Sequence, residues 1–297
     1  MLMSEYILSC ESTIDLTRDE IENHYLRFIP FHLNIGADEY KDDLWQTIKP
    51  KDLYDRMEAG EMTRTSQVGV GEYIDFFESF LKEGKDVLHL CLSSGISGTF
   101  NSANSAANLL KEKYPDRKIY ILDSLAASSG YGLLMTHLAG KKKEGLTIDA
   151  LRDYAEEHKL NVQHWFFSTD LKYYVRGGRV TKAAGFFGNL FRICPLLNVD
   201  EHGKLVPREK IRTIKKAETA IVDKMVANCD DGEAYSGDCY ISYSECLEYA
   251  TAVKDRVEEK FPALKEKVRL FDIGAVIGCH TGPGTVALFF FGKKRIN

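Results

Sequence analysis

The chain has no basic stripe or tail. Acidic and basic residues are mixed along its 297 residues, with a net charge of −5. Nucleic-acid binding gathers Lys and Arg on one face, so that class is not expected. Its seven cysteines, at 10, 91, 194, 229, 239, 246 and 279, include no CxxC and no Cys/His ligand spacing. No metal site is expected from them. Several lie in apolar runs, as Cys91 and Cys194 do, which reads as buried thiols in a reducing cytoplasm. The N-terminal "MLMSEYILSCESTIDL" has no basic segment leading a long apolar core, so a signal peptide is not expected. The most apolar later stretch, "AGFFGNLFRICPLLNV" (184–199), is interrupted by Asn189, Arg192 and Pro195. It falls short of a membrane span and reads as core or pocket wall. GxGxxG, Walker A and GxSxG motifs are all missing, as are internal repeats and low-complexity linkers.

What is present is an ordinary soluble composition, 44% apolar and 28% charged, long enough for one large or two medium domains. "EYILSC", "DVLHLCL", "KIYILD" and "HWFFSTD" read as strands, separated by helical patterns through about residue 170. "DVLHLCL" is apolar at nearly every position, as in a parallel strand covered on both faces. This alternation implies a doubly wound α/β sheet. Thr17 and Thr147 are helix-cap candidates. The second half is less regular. "ICPLLNVDEHGKLVPREKIRT" reads as a hairpin, followed by two helices and the strands "CYISYS", "VRLFDIG" and "ALFFFG". The expected division is 1–170 and 171–297, both α/β, the second a smaller domain with a mixed sheet.

Four polar stretches carry the chemistry. "LSSGISGTFNSA" (92–103) follows the apolar strand "VLHLCL" and precedes a helix. Ser93, Ser94, Ser97 and Thr99, with glycines and helix N–H groups, suit an anion; a capped βα turn explains them equally well. "TRTSQVGVGEY" (63–73) places Thr65 and Ser66 before a helix, where a cap is the simpler reading and Glu72 stands too far for a capping box. "IGCHTGPGTVALFFFG" (277–292) sets His280 and Thr281 in a glycine-rich loop, where a histidine can donate to a carboxylate or act as a base. "YYVRGGRVTKAAGFFG" (173–188) flanks two glycines with Arg176 and Arg179, which suits a phosphate, an acidic group or a plain surface turn.

"TSQ" near 65, "SSGISGT" at 93–99, "RGGRV" at 176–180, "CPLLNVDEHGKLVPREKIRT" at 194–213 and "IGCHTGPG" at 277–284 occur in one order along essentially the whole chain. In this the chain resembles the DegV family of bacterial fatty-acid-binding proteins, also called FakB-type. The resemblance implies two α/β domains with one fatty acid, such as palmitate, stearate or oleate, between them. It implies no cofactor, no metal and no catalysis by the chain itself. The bound carboxyl would be presented to a separate ATP-dependent fatty acid kinase, whose acyl phosphate enters phospholipid synthesis. By the same resemblance, Thr65, Ser94 and His280 contact the carboxylate, with Ser66, Ser93 and Thr281 as neighbours. Arg179 and Arg212 would belong to a kinase-facing surface. Two departures stand out: Val68 replaces a usual proline, and Glu11-Ser12-Thr13 stands where Asp-Ser-Thr is usual.

The physics is compatible. A buried carboxylate needs partners, and hydroxyls, a histidine and helix N–H groups supply them. About fifteen buried methylenes give roughly 12 kcal/mol before costs, from which association and chain ordering subtract several. Phe186, Phe187, Leu190, Phe191 and Ile193, with Leu133 and Leu134, are tunnel-wall candidates. Two other classes remain open: a hydrolase using Ser94 or Ser97 with His280 and Asp123, and a binder of a phosphorylated small metabolite.

Overall fold

The computed structural model describes residues 6–180 and 193–296. In chain order the strands are β1 (Tyr6–Glu11), β2 (Arg27–Ile29), β3 (His32–Ile35), β4 (Asp38–Lys41), β5 (Thr63–Ser66), β6 (Asp86–Cys91), β7 (Ile119–Asp123), β8 (Val162–Ser168), β9 (Cys194–Val199), β10 (Leu205–Ile211), β11 (Cys239–Tyr243), β12 (Arg269–Asp272) and β13 (Thr285–Phe291). The helices are α1 (Arg18–Asn23), α2 (Pro50–Glu58), α3 (Val70–Lys82), α4 (Thr99–Lys113), α5 (Ser128–Lys143), α6 (Ile148–His158), α7 (Lys172–Arg176), α8 (Ile214–Asn228), α9 (Leu247–Lys260) and α10 (Ala275–Thr281).

The first sheet is parallel, in the order β2-β1-β6-β7. Helices α3 and α4 pack on one face and α6 on the other. That double cover explains why β6 is buried from Val87 to Cys91. Thr17 and Thr147 do cap α1 and α6, accepting from Glu20 N and Ala150 N. The second sheet is mixed, in the order β10-β9-β8-β13-β11-β12, with the expected β9–β10 hairpin at one edge.

Strand β8, at "HWFFSTD", belongs to this second sheet, where the alternation had suggested the first. It pairs antiparallel with both β13 and β9. A strand buried at all seven positions carries no face pattern that distinguishes one sheet from the other. The second sheet therefore has six strands to the first sheet's four.

Helix α5 lies between the two sheets. It packs on β8, β11 and β13, and on the turn after β1. It is buried from Ser128 to Thr136, including Leu133 and Leu134, so it has no solvent stripe over that length. One core cluster accordingly runs through both sheets, from Leu8 and Leu88 to Tyr240 and Phe289. The tunnel-wall candidates Phe186, Phe187, Leu190 and Phe191 lie outside the described residues.

Two local differences bear on function. Residues 63–66 are not loop or cap: β5 is an edge strand of a small antiparallel sheet, β4-β3-β5. The cap of α3 is Gly69, and Glu72, three residues on, accepts its N–H at 2.9 Å. Residues 275–281 are helical, so His280 rides on α10 and not in a loop. Gly282 ends that helix at φ 67°, ψ −178°, a conformation essentially reserved for glycine.

Candidate ligand site at the sheet junction

Between the two sheets lies a cavity of about 750 Å³, counting its open mouth. The first-sheet side contributes Phe31, Leu92 and Ile96, and the second-sheet side Phe166, Val199, Leu205, Ala287 and Phe289. Thr65, Ser97, Arg179, His280 and Thr281 also line it.

Thr65 reaches the cavity because β5 alternates. Thr63 and Thr65 are half-buried while Arg64 and Ser66 are exposed, so adjacent Thr65 and Ser66 cannot share one face. Thr65 Oγ1 lies 2.8 Å from His280 Nε2, across 215 residues of chain. Thr63 Oγ1 donates to the Cys279 carbonyl at 3.4 Å and so ties β5 to α10 two residues along the strand. The start of α10 is held from the first-sheet side: Asp42 accepts the Val276 N–H, and burial pushes its carboxyl up to about 6. Behind the imidazole, Gly177 packs so closely that any Cβ there would overlap His280 Nδ1.

Burial, with a smaller contribution from the Arg179 charge, pulls His280 down to about 4. The ring is therefore neutral near pH 7. When Nε2–H donates to Thr65, the threonine keeps its own proton for an oxygen in the cavity. The unfolded imidazole titrates near 6.5, so between about pH 6.5 and 4 the unfolded chain binds more protons. Stability contributed by this group falls as pH drops through that window. In ¹⁵N-resolved NMR, His280 should remain neutral to about pH 4; an ordinary titration near 6.5 would show that the imidazole is not enclosed as described.

The 92–99 loop is fastened from below by Glu11, which is fully buried at the end of β1. Its carboxylate accepts from Tyr73 OH at 2.7 Å, Leu92 N at 2.9 Å, Tyr131 OH at 2.9 Å and Thr99 Oγ1 at 3.3 Å. Burial opposes its ionisation, but His89, Tyr73 and Leu92 N–H outweigh it and hold the pKa below the ordinary glutamate value. Glu11, His89 and Cys91 have ligand-type atoms within 4.8 Å of one another. Donors already occupy both Glu11 oxygens, and burial holds the Cys91 thiol well above its ordinary value. The cluster is a loop anchor in chemistry as well as in position.

The loop's three serines diverge. Ser93 is buried, donating to the Gly203 carbonyl at 2.9 Å and accepting Gly95 N–H at 3.0 Å, so it locks the loop to the β9–β10 turn. Ser94 is exposed and does not line the cavity; its N–H donates to Asp123 at 3.1 Å. Ser97 does line it, and its Oγ accepts Thr99 N–H at 3.2 Å, which leaves its hydroxyl proton for a ligand. The βα turn after β6 thus aims one hydroxyl inward, and it is Ser97.

Of the residues singled out in the sequence, Thr65, Ser97, His280, Thr281 and Arg179 meet at the cavity. Ser66, Ser93 and Ser94 do not. Arg179 is half-buried where the cavity meets an outer groove lined by Gly178, Lys204 and Pro207, and it donates to the Ile96 and Gly177 carbonyls at 3.2 and 2.6 Å. Arg212 is exposed, just beyond edge strand β10. The hydrolase arrangement is not assembled: His280 Nε2 meets Thr65, and Asp123 meets the backbone of Ser94 and Leu125. Tyr174, His164 and Thr285 also line the cavity and had no local sequence signal.

Comparisons with known proteins agree with this architecture. The DegV family model matches residues 8–293. A DegV domain-containing protein of Clostridium perfringens is 34% identical over 296 residues, 99% of each chain. A Thermus thermophilus DegV family protein, solved for its fatty-acid binding, superposes with a TM-score of 0.85 at 27% identity, covering 97% of this chain and 100% of that one. The fatty acid kinase B3 protein of Streptococcus pneumoniae, loaded with linoleic acid, shares the fold at a TM-score of 0.82 and 20% identity, covering 97% of this chain and 99% of that one. A DegV family protein of Eubacterium eligens, loaded with heptadecanoic acid, shares the fold at a TM-score of 0.82 and 19% identity, covering 97% of this chain and 100% of that one. From its third residue of β1 to its last strand, the chain belongs to the DegV family.

Proposed function

We propose that the chain binds one long-chain fatty acid in the cavity between its sheets and presents the carboxylate to a separate ATP-dependent kinase. The observation that carries this is the cavity's polarity: an apolar interior with the Thr65–His280 pair, Ser97 and Arg179 on its wall. Neutral hydroxyl donors, with Thr65 oriented by His280 Nε2–H, stabilise a buried carboxylate while leaving it nucleophilic. The acceptor of the phosphoryl group would be a carboxylate oxygen, reached through the Arg179 groove. Arg212 is the second cation proposed for the kinase-facing surface. A phosphorylated metabolite fits less well, because so little of the wall is polar.

The protein should be purified without added lipid, extracted with organic solvent, and the extract read by mass spectrometry. Roughly one fatty acid per chain is expected. An empty extract together with no uptake of palmitate or oleate would overturn the reading. Incubating the loaded protein with a fatty acid kinase, ATP and hydroxylamine should then trap an acyl hydroxamate. No hydroxamate with any such kinase would leave lipid binding in place and remove the presenting role. Within the site, Gly177→Ala should weaken palmitate binding by about tenfold, since the added methyl displaces His280; unchanged affinity would detach His280 from the head-group site.

A further inference from the structure

Arg295 follows the last strand and is enclosed, with 4% of its surface exposed. Its own N–H donates to the Leu160 carbonyl at 2.9 Å, which fixes the backbone. Its guanidinium spends its donors on carbonyls. Nη1 donates to Val199 and Asp200 at 3.3 and 3.0 Å, and Nη2 donates to Leu125 at 2.8 Å. Enclosing a guanidinium is costly, and its fork repays that only by holding several acceptors at once. The acceptors here come from two separate places: the end of β9 and the connection between β7 and α5.

Both places lead to the 92–99 loop. The Asp200 carbonyl that meets Arg295 also accepts the Gly203 N–H at 3.0 Å. The Gly203 carbonyl accepts from Ser93 Oγ at 2.9 Å, and the Ser93 carbonyl accepts the Ser97 N–H at 3.1 Å. Gly203 sits so close that a Cβ there would overlap Ser93 Oγ. On the other branch, the Leu125 N–H donates to Asp123 Oδ1 at 3.0 Å, and that same oxygen accepts the Ser94 N–H at 3.1 Å. Leu125 stands at φ 49°, uncommon for a residue with a side chain, so the connection keeps its path only while its neighbours hold it. The Thr65–His280 pair has a different support, on β5 and on α10.

We propose that Arg295 is a positioning residue for Ser97: by pinning the β9–β10 turn and the β7–α5 connection together, it seats the 92–99 loop so that the Ser97 hydroxyl points at the bound carboxylate. This rests on the fatty-acid reading above. A loop of small residues has no packing of its own to fix a hydroxyl, so its direction comes from the groups that hold the loop's backbone. Releasing the pin leaves Ser97 in the chain and costs its hydrogen bond.

The test is titration of delipidated variants with palmitate, arranged as double-mutant cycles. Arg295→Met should weaken binding about tenfold in the parent background and less than about twofold where Ser97 is already Ala, since a misplaced hydroxyl and a missing one cost alike. Combined with Thr65→Val, the two losses should multiply. A general loosening of the fold would act alike in the two backgrounds, so the contrast between them marks positioning. If Arg295→Met binds palmitate as the parent does, or if its loss multiplies with that of Ser97→Ala, the proposal fails while the fatty-acid reading stands. If the parent itself takes up no palmitate, the fatty-acid reading fails. Arg295→Lys keeps the buried charge and gives up the fork; it supplies the same comparison should the Met variant not fold.

Discussion

Thr65→Val should lower fatty-acid affinity by about 10- to 100-fold and leave the melting temperature nearly unchanged. Threonine and valine have the same shape, so β5 and its pairing with β3 keep their packing. What is lost is the hydroxyl 2.8 Å from His280 Nε2. Hydrogen bonds to charged groups contribute about 1.5–3 kcal/mol, which is the stated range at about 1.4 kcal/mol per decade. On the proposed binding mode the loss has two parts: the carboxylate loses a donor, and a His280 Nε2–H loses its acceptor. Thr65→Val and His280→Phe should therefore combine less than additively, since the two groups act as one unit. Titration of delipidated protein with oleate measures all three variants. Affinity within twofold of the parent for Thr65→Val would sink the head-group assignment, whatever the fold.

The second large effect is on stability. Glu11→Gln should destabilise the protein by about 3 kcal/mol, because it breaks a buried charged network from one side. The carboxylate faces five partners, Tyr73, Leu92, Tyr131, Thr99 and His89. An amide in its place turns two N–H donors toward groups that can only give or share a proton. The damage reaches the ligand site, because Leu92 and Thr99 bracket the loop carrying Ser97. Oleate affinity should fall along with the chemical-denaturation midpoint. The pH dependence has a definite sign. Glu11 is held below the ordinary glutamate pKa, so its contribution is present above about pH 4.5 and is lost as pH falls through the folded-state value. The Gln variant should lack that acid-side decline. A variant as stable as the parent at pH 7, with the same acid profile, would show that Glu11 does not anchor the loop.

Helix periods, the β9–β10 turn and the Thr17 and Thr147 caps were legible along the chain because each is decided within a few residues. So was the continuous burial of β6, since a strand covered on both faces has no polar side to conceal. Family membership was legible for a different reason: five short motifs in one order are improbable in an unrelated chain.

Contacts between distant residues were not legible. No local pattern says that β8 joins the second sheet, because a wholly apolar strand fits either. Nor does the sequence reveal that Ser97 faces the cavity while Ser93 locks a turn and Ser94 faces outward. A loop of consecutive hydroxyls has no period, and Glu11 and the β9–β10 turn, which orient it, come from elsewhere in the chain. Thr65 could be separated from Ser66 only after β5 proved to be a strand. By itself the sequence determined most of the long strands and helices, though not β5 or α10, together with the α/β class and the chemical types gathered in each motif, because these follow from neighbouring side chains and backbone preferences. Tertiary structure alone decided which of those groups share the cavity, because that depends on how α5 and the two sheets pack across hundreds of residues.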